Sequence, residues 1–107
     1  MAIYGLKSLQ QLDFSNNDIE NVNGKISNLK KIKIIILTKN NLKVLPLEIT
    51  SCISLKTLII SDNKLTALPL KIGNLKNLKT LITLNNNFSS AEMERIKMAL
   101  PLCDVRF

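Results

Sequence analysis

The chain has 107 residues, 46% of them apolar and only 4% aromatic, with 15 Lys and Arg against 8 Asp and Glu, a net charge of +7 and no histidine. That length fits one domain, and without histidine there is no imidazole to serve as general base or metal ligand. The longest apolar run, Ile34 to Leu37, is far short of the roughly 18 residues a membrane span needs.

Residues 1–8 begin with Ile3 and Leu6 at a spacing that returns at Ile26 and Leu29, so they are expected to form the tail of a coil whose successors follow. MAIYGLKSLQ has no charged leader before a long apolar run. It shows no secretory signal, which leaves cytoplasm and secretion without a visible signal both open. From Leu9 the apolar positions are Leu12, Phe14, Ile19, Val22, Ile26 and Leu29, with Asn17 among them; from Ile32 they are Ile35, Leu37, Leu42, Leu45, Ile49 and Cys52, around Asn40. The third stretch, LKTLIISDNKLTALPLKIGNLKN from Leu55 to Asn77, has the same skeleton at Leu58, Ile60, Asn63, Leu65, Leu68, Ile72 and Leu75. A fourth opens with Leu78, Leu81, Thr83, Asn86 and Phe88 and then stops.

Each unit starts with the period-2 alternation of a short strand, turns at an asparagine, and returns through widely spaced apolar residues. The asparagine has a physical role. A turn tucked inside a stack leaves backbone donors and acceptors without water, and a carboxamide can satisfy both kinds. Pro46 and Pro69 are expected to hold the return segment extended on the outside, where a missing N–H costs little. In the first unit Val22-Asn23-Gly24 replaces Leu-Pro, and a looser back is expected there.

After Phe88 the period breaks. Ser89 with Glu92 reads as a capping box opening a helix, with Met93, Ile96 and Leu100 on one face and Glu92, Glu94, Arg95 and Lys97 on the other. Pro101 ends it. Cys103, Val105 and Phe107 then alternate with Asp104 and Arg106, the pattern of a final edge strand.

Four aligned copies of LxxLxLxxNxLxxLPxxIxxLxx at a period of 23 are the mark of a solenoid repeat. The chain resembles the leucine-rich repeat proteins, and its LxxLPxxIxxL half is similar to the 23-residue class common in bacteria. The resemblance implies an α/β fold: a right-handed solenoid with a concave parallel sheet, an irregular convex side and a C-terminal helix-plus-strand cap. Residues 1–107 then form a single domain, with a partial coil at 1–8, repeats at 9–31, 32–54, 55–77 and 78–88, and a cap at 89–107. Leu12, Phe14, Ile35, Leu37, Leu58, Ile60, Leu81 and Val105 are expected to point into one core. The first coil has no visible cap, so self-association or fraying is expected at that end.

Cys52 and Cys103 lie two or more coils apart, about 10 Å at the strand spacing, beyond disulfide reach. Both are expected to be buried free thiols. The charge comes from 13 lysines and two arginines. Lys33, Lys56 and Lys79 share one slot and Lys7, Lys30 and Lys76 another, forming a basic ridge where strands begin. That ridge is read first as a solvated face that aids solubility; an acidic partner is the sharper alternative. Nucleic acid is disfavoured, because clustered arginine and exposed aromatics are missing.

Function is sought on the outward positions of the strands. These are Ile34, Ile36, Thr38 and Lys39 in the second coil, Thr57, Ile59, Ser61 and Asp62 in the third, and Thr80, Ile82 and Leu84 in the fourth. Ile36, Ile59 and Ile82 form an apolar column on a face that ought to be wet. β-Branched ladders do stabilise sheets, but threonine would do so without exposing hydrocarbon, and contiguous exposed apolar patches mark interaction sites. In the family that this chain resembles, the concave sheet is the usual ligand surface.

The expected function is therefore non-enzymatic: a protein-protein interaction module binding a protein or peptide on its concave sheet. The alternative is a self-assembling structural protein that oligomerises through its first coil or the apolar stripe. No cofactor or metal is expected. Neither a glycine-rich phosphate loop nor a paired-carboxylate site is visible, so no catalytic mechanism can be assigned.

Overall fold

The structure is a computed structural model and describes residues 2–107. Its centre is a five-stranded parallel sheet of β1 (Gln11–Asp13), β2 (Ile34–Ile36), β3 (Thr57–Ile59), β4 (Thr80–Ile82) and β5 (Asp104–Arg106), in that spatial order. Neighbours pair with no slip: Leu12 beside Ile35, Ile35 beside Leu58, Leu58 beside Leu81, and Leu81 beside Val105. These middle residues point inward because successive side chains in a strand alternate between its faces. Ile35, Leu58 and Leu81 are fully buried, Leu12 nearly so, and Val105 partly buried against the same core. Phe14 is half-buried at the β1 edge.

The asparagines lock one coil to the next. Asn40 accepts the N–H groups of Asn17 and Ile19 from the previous coil at 3.0 Å each, and donates to the carbonyls of Phe14 and Leu37. Asn63 accepts from Leu42 N–H at 3.1 Å and donates to Leu37 and Ile60. Asn86 repeats this with Leu65 and Ile60. Asn17 is exposed, and its side chain donates only to Ser15.

The convex side is more regular than expected. Each coil returns through a short 3₁₀ turn, Gly24–Asn28, Leu47–Ser51 and Ile72–Asn74, and a fourth such turn spans Ala2–Gly5. The backbone N–H of Leu29, Cys52 and Leu75 donates to Ile26, Ile49 and Ile72 at 3.1 Å, and Leu6 does the same to Ile3 at 3.0 Å. Residues 2–9 thus have the hydrogen bonds of a coil's tail. Asn23 takes the place of proline with φ −65° and ψ 135°, against −67° and 146° at Pro46, and its side chain accepts from Lys25 N–H. The missing Leu-Pro therefore leaves the local geometry intact.

Helix α1 (Ser90–Ala99) covers the third coil, burying Ile96 and Leu100. Gly73 permits this approach: a Cβ there would lie 3.1 Å from the Ala99 carbonyl oxygen. Only half of the capping box forms. Ser89 accepts from Glu92 N–H at 3.1 Å, but the Glu92 carboxylate turns to the Leu68 N–H at 2.9 Å. Arg95 completes the clamp by donating to the Leu68 carbonyl at 2.8 Å and pairing with Glu92. Glu92 and Arg95 are therefore half-buried docking residues rather than members of the solvent face. The reason is that the third coil's Leu68 exposes an N–H and a carbonyl that the repeat itself leaves unpaired, and the helix supplies both partners. Phe107 finishes the cap, edge-on to Phe88 with ring centroids 5.9 Å apart.

Candidate binding surface

In-register pairing sets the outward residues in straight columns across the strands. One reads Gln11, Ile34, Thr57, Thr80, Asp104, and the next Asp13, Ile36, Ile59, Ile82, Arg106. Ile34, Ile36, Ile59 and Ile82 are each half-buried, and so are Thr38, Thr57 and Thr80. Every isoleucine is shielded on two sides by its column neighbours yet open above. Leu84 extends the apolar area and is 42% exposed.

The stripe ends in charges. Asp13 accepts from Ser15 N–H at 3.0 Å and from the Ser15 hydroxyl at 2.7 Å, which holds its carboxyl below the ordinary value. Arg106 pairs with Asp104 at 3.0 Å.

Ser61 does not border the stripe as expected. It is 6% exposed, because its hydroxyl accepts the Leu84 N–H at 3.1 Å and its carbonyl accepts from Lys39 and Asn63. Its position after β3 places it where the chain turns under the sheet, so the strand alternation no longer holds.

Lys39 and Asp62 mark the same turn. Together with Asn16 and Asn85 they have φ between 55° and 59° at equivalent positions of the four coils, and Asp18 at 52° is a second left-handed residue in the first coil. Asn and Asp tolerate that region, whereas lysine pays a steric penalty. Asn85 also donates to the Asp62 carboxylate at 2.8 Å. The sequence signal for this column is three Asn or Asp residues spaced by multiples of 23, one position before the stronger asparagine column.

Along the rim where the chain enters the sheet, Lys33, Lys56 and Lys79 are exposed and bonded through their backbones, Lys56 N–H to Lys33 at 2.8 Å and Lys79 N–H to Lys56 at 2.9 Å. Among the described residues the ion pairs are Arg95–Glu92 and Arg106–Asp104, so none involves a lysine.

Cys52 is buried and its thiol donates to the Ile26 carbonyl; burial pushes its pKa up to about 11. Cys103 is only half-buried, not buried as expected, because it sits beside edge strand β5 on the wall of an open cavity of about 130 Å³ lined by Gly73, Leu78 and Leu100. Both cysteines are free. Among the described residues no cluster of three His, Cys, Asp or Glu could hold a metal ion, and no helix is long and apolar enough to cross a membrane.

No family model matches the chain, and no curated protein matches it. Solved structures do. A leucine-rich repeat protein of Leptospira interrogans superposes with a TM-score of 0.96 at 38% identity over 98% of this chain. A plant peptide hormone receptor in complex with RGF2 aligns at TM-score 0.69 and 23% identity, and an internalin of Listeria monocytogenes at 0.59 and 19%, each over 97% of this chain; these two establish the fold alone. The chain spans 27%, 21% and 36% of the lengths of those three proteins.

Proposed function

Because the chain belongs to the leucine-rich repeat proteins of the bacterial type, we propose that it is a non-enzymatic interaction module that binds a protein or peptide partner on its concave sheet. The observation that carries this reading is the column Ile36, Ile59, Ile82, three β-branched hydrocarbons in lateral register on an open face. Exposed hydrocarbon in one contiguous patch is more costly in water than the threonines that would stabilise the sheet equally well. Ile34 and Leu84 widen the patch; Thr38, Thr57 and Thr80 add hydroxyls, and Lys39 and Asp62 charges, at its margins.

Hot spots are few, central and well desolvated, and Ile59 is the middle residue of the middle column. Ile59→Asp should abolish binding to a captured partner while leaving a cooperatively folded chain, since the slot faces outward. Wild-type affinity in that folded variant would move the site elsewhere. A self-assembling protein is separated by light scattering: a binding module keeps one mass across a concentration series.

A further inference from the structure

Resting on the concave-face reading, we infer that the partner segment is acidic as well as apolar, laying hydrocarbon on Ile36, Ile59 and Ile82 and carboxylates along Lys33, Lys56 and Lys79. The lysines start from adjacent strands, hence about 4.8 Å apart at the backbone, and like charges set directly opposite one another across strands destabilise a sheet. Among the described residues no ion pair offsets that repulsion, because neither one involves a lysine. The slot itself does not demand lysine, since the first coil carries Gln10 there and its carbonyl still accepts from Lys33 and Ile34.

Solubility alone does not account for the row. It requires charge but no register, and exposed Lys25, Lys43 and Lys71 already provide charge away from the sheet. A row of cations with no internal partner, beside an apolar column, is complementary to a segment with carboxylates next to apolar side chains. The geometry is compatible. Ile36 lies three residue rises along from Lys33, about 10 Å in an extended strand, and the flexible stem of lysine spans much of that distance. The apolar column would hold the segment and the rim would set approach rate and salt dependence.

The test uses peptides selected on the whole chain from a random-sequence library displayed on phage. The expected peptides combine several apolar residues with Asp or Glu. Their affinity falls about tenfold or more in K33Q/K56Q/K79Q, as for lost charge pairs at an interface rim, and is unchanged in the equally charged control K25Q/K43Q/K71Q. The rim triple should also melt at a higher temperature than wild type, because it relieves repulsion in the free protein, a gain that a supporting structural role for these lysines would reverse. Apolar peptides without carboxylates, insensitive to the rim triple but lost with Ile59→Asp, would overturn the acidic partner and leave the concave site standing. Peptides that bind Ile59→Asp undiminished would overturn the concave site itself, and an unenriched library would overturn both.

Discussion

The carboxylate of Glu92, in the first turn of the cap helix, accepts the backbone N–H of Leu68 at 2.9 Å across 24 residues of sequence. With Arg95 on the Leu68 carbonyl, it ties the helix to the coil it covers. Glu92→Ala should destabilise the chain by about 1–3 kcal/mol, the cost of leaving such groups unpaired, as read by urea unfolding. The clamp also has a pH signature. The Arg95 hydrogen bond holds Glu92 below its ordinary 4.5, so the native state binds fewer protons than the unfolded one, and the contribution is complete above about that pH and is lost as pH falls through the lowered value. Glu92→Gln should flatten this acid limb; an unchanged limb would place the titration elsewhere.

The asparagine column predicts a gradient in cost. Asn63→Ala strands the buried Leu42 N–H and takes one of two donors from the Leu37 and Ile60 carbonyls, which keep Asn40 and Asn86, and should cost about 1–3 kcal/mol. Asn17→Ala, which loses one exposed bond to Ser15, should stay within about 0.5 kcal/mol of wild type. Equal costs for the two would mean that these residues stabilise their own turns rather than the joint between coils.

Lys39 invites a stabilising change. Its φ of 57° is shared by Asn16, Asp62 and Asn85, and a left-handed lysine is strained by about 1–2 kcal/mol. Lys39→Gly or Lys39→Asn should therefore raise the unfolding midpoint, with glycine offsetting part of its gain through the flexibility it adds to the unfolded chain. A lowered midpoint for both would show that the lysine side chain contributes more than its backbone costs.

The two thiols should differ in reactivity. Cys52 is 2% exposed with its pKa raised to about 11 by burial, and the thiolate is the reactive form. Iodoacetamide at neutral pH should modify half-buried Cys103 first and reach Cys52 only when the chain unfolds. Mass spectrometry of timed samples reads the order, and simultaneous labelling would mean that the core opens locally at the second coil.

By itself the sequence determined the period of 23 and the inward residues, from Leu12 beside Ile35 to Leu81 beside Val105. These follow from local demands repeated at every coil: a three-residue strand must bury its middle side chain, and a turn inside a stack needs a carboxamide such as that of Asn40. The isoleucine column was legible for the same reason, since register follows from the repeat. What the sequence left open were contacts made once, between elements with no repeating partner. Glu92 and Arg95 pattern as the wet face of an amphipathic helix, and only docking on the third coil turns them toward Leu68. Ser61 patterns as an outward strand residue, yet the chain has already begun its turn, and the Leu84 N–H draws its hydroxyl inside. Cys103 is half-exposed because it lies beside the sheet's last strand. Periodicity encodes what each coil does for its neighbour, whereas the cap and the turn residues depend on which backbone groups the finished stack leaves unpaired, and only the assembled structure decides that.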